Sequence, residues 1–190
     1  MQREQPPGIS AFVVANEDID RAVLDLAAVL DGLTPQRFEI IVVGEATGSL
    51  SELRARVPGL PIRCGSDGAE PRYELVFVAA RDGQFDVREL NHLLDAIDAG
   101  AEVAAGYRPR RTDGIVRCLQ RWGCNVDVDC AFALVRRGVW QTLTAQAGYS
   151  HPCAELSSRA RRLGFRVAEV AVSQRRPSIG VAVSAGTRAA

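Results

Sequence analysis

The feature that most constrains this chain is an alternation between short apolar runs and stretches with helical apolar spacing. The most apolar run, YELVFVAA (73–80), is nearly continuous, as is typical of a strand buried on both faces of a parallel sheet. Soon after it, Leu90, Leu93, Leu94 and Ile97 share one face of a helix. Strands that alternate with helices predict a mostly parallel central sheet between helical layers, an α/β/α sandwich.

Glycine, proline and polar turn residues set the limits of the predicted elements. The predicted strands are 9–14, 38–45, 60–64, 73–80, 101–106, one strand within 126–140, and 165–172. Five helices are predicted, over 19 to near Gly32, over 50–57, over 86–100, from near residue 140, and over 152–164. Asp86 caps the third helix and Gly100 ends it, while Pro152 begins the last helix and Gly164 ends it. The apolar face of the last helix is predicted to carry Leu156, Ala160 and Leu163.

The length and composition indicate one ordinary globular domain. The chain has 190 residues, of which 47% are hydrophobic and 24% are charged, and this is far from the composition of disordered proteins. We expect an N-terminal tail over 1–8, one domain over 9–180 and a flexible C-terminal tail over 181–190.

The charge and the cysteines exclude some classes of function. Acidic and basic residues balance at 23 each, so the overall charge gives no reason to expect nucleic acid as a partner. The five cysteines fit no familiar zinc spacing, and they suit reduced thiols. No apolar run approaches the roughly 18 residues that span a bilayer, and no leader pattern opens the chain. We therefore expect a cytoplasmic protein.

Several motifs occur in a particular order along the chain. The first strand runs into FVVANED, the second is FEIIVVGEATGS, and the fourth runs into VFVAARDGQFD. The later segments are RDGQFDVRELNHLLDAIDAGAEVAAGYRPRR, VDVDCAFALVRR and AELSSRARRLGFRVAEVAVSQRRP. Over about residues 9 to 180 this order resembles the family 2 glycosyltransferases, in particular the enzymes that load mannose or glucose onto polyprenyl (dolichyl-type) phosphates. The resemblance implies the GT-A fold and hexose transfer from a GDP- or UDP-sugar to a lipid phosphate.

The resemblance also assigns residues to the donor site. Asn16, Glu17 and Glu45 are the candidates for contacts to the base or ribose, and Asp82 is a candidate for the sugar diphosphate. Arg81 departs from the family motif, and as an alternative to a divalent cation it would place a fixed positive charge at the same point and neutralise the diphosphate directly. The simpler interpretations are that Glu17 is an acid in the first turn of a helix and that Asp82 begins a tight turn.

The family holds a divalent cation, Mg²⁺ or Mn²⁺, with an Asp-x-Asp motif and a nearby Gln. Asp82 and Gln84 match two of these ligands, and Ala80 stands where the first Asp is expected. Mg²⁺ often takes only one or two protein carboxylates and completes its shell with water and phosphate, so a cation is still expected.

The acceptor side is predicted around the Arg-rich stretch 107–121. Arg108 and its neighbours suit a phosphate headgroup and peripheral contact with an anionic membrane face, although a solvated basic surface is the simpler interpretation. A phosphate acceptor is already ionised at neutral pH, so Asp127 and Asp129 are expected to orient it. For a hydroxyl acceptor, Asp127 is the candidate base.

The chain also departs from the family pattern. Gly44 stands where the second strand's first Asp is expected, Ala80 replaces the first Asp of Asp-x-Asp, and Ala133 replaces a basic residue. The segment before VDVDC is also shorter. These departures leave a second hypothesis open, a degenerate domain that binds a nucleotide or a protein partner as a scaffold. A Rossmann-like or flavodoxin-like domain of another function is the third.

Overall fold

A seven-stranded sheet forms the centre of the protein. The computed structural model describes residues 6–15, 19–44, 47–65, 69–79, 86–107, 132–145 and 156–173. The strands are β1 (Ile9–Val14), β2 (Phe38–Val43), β3 (Ile62–Gly65), β4 (Leu75–Ala79), β5 (Val103–Tyr107), β6 (Phe132–Arg136) and β7 (Val167–Ala171). The predicted strands are confirmed, with bounds that differ by a few residues.

The strand order is β3-β2-β1-β4-β6-β5-β7. Neighbouring strands are parallel except at β6, which is antiparallel to both β4 and β5. The carboxyl ends of six strands therefore meet the amino end of β6 along one side of the sheet, which we call the carboxyl edge. The opposite side is the amino edge. The expected mostly parallel sheet is confirmed.

Helices cover both faces of the sheet. They are α1 (Ile19–Leu33), α2 (Thr47–Arg56), α3 (Leu90–Asp98), which a 3₁₀ turn (Val87–Glu89) precedes, α4 (Arg137–Ala145) and α5 (Leu156–Arg162). Residues of α1, α2 and α3 pack in one buried cluster, and residues of α4 and α5 pack in another. Burial of each large apolar side chain contributes roughly 1.5–3 kcal/mol, so the two clusters hold the layers together.

One predicted core position is wrong. Leu163 is 41% exposed because α5 ends at Arg162 and the chain then reverses, with Gly164 at a φ of 84°. Phe165 packs against the second buried cluster instead.

The predicted cap at Asp86 is confirmed, but it caps the 3₁₀ turn that precedes α3. The Asp86 side chain accepts a hydrogen bond from the Arg88 amide at 3.0 Å.

A buried carboxylate links neighbouring strands at the amino edge. Glu39 of β2 is 3% exposed, and it accepts hydrogen bonds from Ser10 Oγ, Arg63 Nε and the Arg72 amide, each at 2.8 Å. Ser10 Oγ in turn accepts a hydrogen bond from the Tyr73 amide at 3.1 Å. This Glu39 cluster (Ser10, Glu39, Arg63 and Arg72) joins β1, β2, β3 and the residues that lead into β4.

The pKa of Glu39 reflects two opposed effects. Burial raises it, but the hydrogen bonds from Arg63, the Arg72 amide and Ser10, together with the charge of Arg63, outweigh burial and lower the pKa below its usual value. The ionised form is therefore favoured in the folded protein more than in the unfolded chain.

Truncation of Glu39 should destabilise the fold strongly. Glu39→Ala removes the acceptor from three donors and leaves a half-buried guanidinium unpaired, for which we expect a loss of about 3–5 kcal/mol in urea unfolding. Glu169→Ala is the matched control, because it breaks an Arg–Glu pair that is more exposed, with Arg161, and should cost less than about 1 kcal/mol. Equal losses in the two variants would contradict the role of the cluster.

The stability that Glu39 provides should also depend on pH. Its folded-state pKa is lowered, so the contribution is complete above the unfolded-state pKa and is lost as the pH falls through the folded-state pKa. The difference in free energy of unfolding between the wild type and Glu39→Gln should therefore shrink on acidification. Glu74 contributes a similar dependence on pH. Burial raises its pKa, but hydrogen bonds from the backbone and the charge of Arg37 outweigh burial and lower the pKa. Because both proteins contain Glu74, its contribution cancels in the difference between their free energies of unfolding. A difference that stays constant into the acid range would contradict the assignment.

Candidate functional site

The ends of β1 and β2 lie side by side at the carboxyl edge. Val14 pairs with Val43, and the Ala15 amide donates to the Val43 carbonyl at 2.9 Å. A Cβ built on Gly44 would lie 3.5 Å from the Ala15 Cβ. The chain therefore leaves both strands from adjacent points, one leading to Asn16 and Glu17 and the other to Glu45.

The ends of β4 and β5 flank the start of β6. Ala79, the last residue of β4, pairs with Phe132, the first residue of β6, and the Phe77 and Phe132 rings contact edge to face at 5.1 Å. Tyr107 ends β5 on the other side of β6. The segments with the metal and acceptor candidates are thus attached to three adjacent strand ends.

The candidate residues themselves lie outside the described part of the chain. This holds for Asn16, Glu17, Glu45, Arg81, Asp82, Gln84, Arg108, Asp127 and Asp129. Their roles remain predictions. The structure shows that the described residues before or after each segment, namely Ala15, Gly44, Ala79, Tyr107 and Phe132, belong to one edge of one sheet.

Two departures from the family pattern are part of the fold itself. Gly44 has a φ of 108°, a conformation that residues with a Cβ rarely adopt. Ala133 lies inside β6, where it is fully buried between Val78 of β4 and Ala105 of β5. Ala133 belongs to a buried apolar cluster, so a basic side chain at position 133 would bury its charge there or displace its neighbours. The backbone at position 44 and the core at position 133 therefore both suit the residues found there.

Gly106 allows close packing at the end of β5. A Cβ at this position would lie 3.0 Å from Phe132 Cδ1 and 3.0 Å from Val172 Cγ2. The Val172 amide donates to the Tyr107 carbonyl at 3.0 Å, which extends the pairing of β5 with β7. The end of β5 is therefore enclosed by the start of β6 and the residues after β7.

Glu89 links two segments at the carboxyl edge, and the sequence analysis did not identify this residue. Its side chain accepts a hydrogen bond from the Ser173 amide at 2.8 Å, which joins the 3₁₀ turn before α3 to the chain that leaves β7. An acid in a first helical turn normally indicates only a favourable interaction with the helix dipole. No local pattern reveals a partner 84 residues away.

The described residues alone do not form a metal centre. Among them, no group of three or more His, Cys, Asp or Glu side chains is placed to hold an ion. Cys64 on β3 is reduced and exposed, in agreement with the expectation of free thiols for this residue. Within the same ranges, no helix is long and apolar enough to cross a membrane.

Comparison with known proteins gives matches among solved structures. No family model matches the sequence. No curated protein matches it either.

The matching solved structures include a mannosyltransferase and a glucosyl-3-phosphoglycerate synthase. A mannosyltransferase of Pyrobaculum calidifontis in complex with GDP-Man and Mn²⁺ aligns with 93% of this chain, at 13% identity and a TM-score of 0.62. The chain spans 59% of that enzyme's length. Glucosyl-3-phosphoglycerate synthase of Mycobacterium tuberculosis in complex with UDP aligns with 90% of this chain and 72% of its own, at 17% identity and a TM-score of 0.60. The same synthase with Mn²⁺, UDP-Glc and glycerol 3-phosphate aligns with 90% of this chain and 73% of its own, at 16% identity and a TM-score of 0.58.

Likeness at this level of identity establishes the architecture. This chain, with its mostly parallel seven-stranded sheet, aligns over 93% and 90% of its length with these two enzymes at TM-scores of 0.62 and 0.60. The chain therefore has the GT-A glycosyltransferase fold.

Proposed function

We propose that this chain is a family 2-like glycosyltransferase that transfers a hexose from a GDP- or UDP-sugar to a polyprenyl phosphate or a similar phosphorylated acceptor. The observation that carries the proposal is the common carboxyl edge, to which every segment with a candidate residue is attached. Ligands of open α/β sheets bind outside this edge. The neighbouring structures hold GDP-Man in one enzyme and UDP-Glc in another, which supports a nucleotide-sugar donor.

The donor reaction demands stabilisation of a leaving diphosphate. Positive charge develops at the sugar carbon while negative charge develops on the departing nucleoside diphosphate. Arg81 is proposed to neutralise part of that charge directly, as fixed guanidinium groups do. Asp82 and Gln84 would hold Mg²⁺ or Mn²⁺, oxygen ligands of the type these ions prefer, and the bound ion would supply further charge neutralisation. Asn16, Glu17 and Glu45 would contact the nucleoside.

The acceptor would need orientation more than deprotonation. A phosphate oxygen is already ionised at neutral pH, so Asp127 and Asp129 would orient the acceptor and Arg108 would bind its phosphate. The synthase structures that hold phosphoglyceric acid or glycerol 3-phosphate favour a phosphorylated acceptor in general. The lipid chain rests on the sequence resemblance and on the Arg-rich stretch 107–121, which would contact the cytoplasmic membrane face.

A second candidate function is a catalytically degenerate scaffold with the same fold. Gly44 and Ala133 favour it, because these two departures are accommodated by backbone conformation and core packing. In this case the carboxyl edge would bind a nucleotide without transfer, or would bind a protein partner.

Calorimetric titration of GDP and UDP tests the donor site that the transferase requires. If the donor site works, one nucleotide should bind with micromolar affinity, and Mn²⁺ should tighten binding by about tenfold or more. Asp82→Ala should abolish the effect of Mn²⁺. Asp95→Ala, which removes an exposed acid on α3, is the control and should bind as the wild type does. Absence of binding by either nucleotide, with and without Mn²⁺, would reject the transferase.

Restoration of the family's acid at position 44 should not restore a donor contact. Gly44→Asp and Gly44→Ala should each destabilise the protein by about 1–2 kcal/mol in urea unfolding, because both place a Cβ on a backbone with a φ of 108°. Gly32→Ala, at a helical position where a Cβ meets nothing within 4 Å, is the control and should be neutral or stabilising. A Gly44→Asp protein that is as stable as the wild type and binds nucleotide more tightly would contradict this interpretation.

A further inference from the structure

The amino edge carries a pocket that the proposed transfer reaction does not use. It has a volume of about 210 Å³, and its apolar walls are Phe38, Leu60, Pro61 and Ile62. Arg63 and Arg72 also line it, beside the carboxylate of Glu39. The pocket lies where β2 and β3 begin, on the opposite side of the sheet from the candidate donor site.

The Glu39 carboxylate is satisfied without the Arg72 side chain. Oε1 accepts from Ser10 Oγ and from the Arg72 amide, and Oε2 accepts from Arg63 Nε, all at 2.8 Å. Arg72 Nε lies 3.7 Å from Oε2, beyond hydrogen-bond distance, and its side chain is 73% exposed. Among the described residues that line the pocket, one carboxylate therefore faces two guanidinium groups, which leaves an excess of one positive charge among these residues.

Both guanidinium groups keep unused donors within the described ranges. Arg63 donates Nε to Glu39 and Nη2 to the Glu70 carbonyl, and its Nη1 has no hydrogen-bond partner among the described residues. Neither Nη of Arg72 has one among those residues either. Guanidinium N–H groups form charge-assisted hydrogen bonds to oxyanions, which are stronger than hydrogen bonds between neutral groups.

The chemistry of the pocket limits the ligand. Its charged lining residues offer guanidinium donors beside apolar walls, and its volume of about 210 Å³ lies below the roughly 300–1,000 Å³ of most pockets for drug-sized ligands. We propose that this pocket is a second binding site, for a small oxyanion such as phosphate or a carboxylate, held by Arg63 and Arg72. The pocket contains none of the donor or acceptor candidates, so a test of this second site does not depend on the proposed transfer reaction.

Ligand binding at this site should stabilise the folded protein. Phe38, Arg63 and Arg72 come from separate parts of the chain and form the pocket only after folding. A ligand that binds the native state alone stabilises it by RT ln(1 + [L]/Kd), so the melting temperature rises with the logarithm of the ligand concentration once this exceeds Kd. Inorganic phosphate and acetate, each compared with chloride at equal ionic strength, are suitable probes of the two anion classes.

The decisive comparison uses two matched arginine variants. Arg72→Ala removes the guanidinium but keeps the backbone amide that donates to Glu39. Arg166→Ala is the control, because Arg166 is also 73% exposed and its Nε lies 3.6 Å from a Glu102 carboxylate oxygen. At a hundredfold excess over Kd, one of the two anions should raise the Tm of the wild type and of Arg166→Ala by roughly 5 °C or more, and it should leave Arg72→Ala unchanged.

Two results would overturn the proposal. One is that neither phosphate nor acetate raises the Tm of the wild type above its value in chloride. The other is an equal rise in Arg72→Ala, which would place the anion elsewhere. Should Arg72→Ala fail to fold, an NMR titration of the wild type gives the same decision, because the Arg72 Nε resonance should move with phosphate or acetate and the Arg166 Nε resonance should not.

Discussion

The reversed strand β6 is the constraint on which the arrangement of the site depends. Because β6 runs against β4 and β5, it begins at the edge where those strands end, and Phe132 lies beside Ala79. The connection from β5 to β6 therefore leaves and returns at the carboxyl edge. A fully parallel sheet would return that connection to the amino edge, away from the segments that follow β1, β2 and β4. The reversal brings the proposed donor and acceptor segments to one side of the sheet.

The two edges of the sheet serve different purposes. At the amino edge, the buried Glu39 cluster links β1, β2, β3 and the residues before β4 with short hydrogen bonds. At the carboxyl edge, the Glu89 side chain accepts a hydrogen bond from the Ser173 amide and joins the turn before α3 to the chain after β7. The Glu39 cluster contains none of the candidate site residues, so it links the strands at the amino edge independently of the residues that depart from the family pattern.

The sequence predicted the elements well and their partners poorly. Continuous apolar runs predicted the central strands, since β1 and β4 lie within their predicted ranges, and the spacing of Leu90, Leu93, Leu94 and Ile97 predicted the buried face of α3. Leu163 was placed in the core because the helical period was extended past the true end of α5. The partners of Glu39 and Glu89 could not be predicted, because their hydrogen bonds cross 24 or more residues and depend on strand order. The site candidates rest on motif order, and the structure supports only the common edge to which their segments attach.

The departures from the motif have different physical meanings. The change at Gly44 is tied to a backbone conformation that an L-amino acid adopts only with strain, and the change at Ala133 is tied to the packing of three strands. A donor site on this fold must therefore work without these two side chains. Binding of the donor would therefore depend more on Glu45, Arg81 and Asp82, the charged residues that remain in the two donor-side motifs.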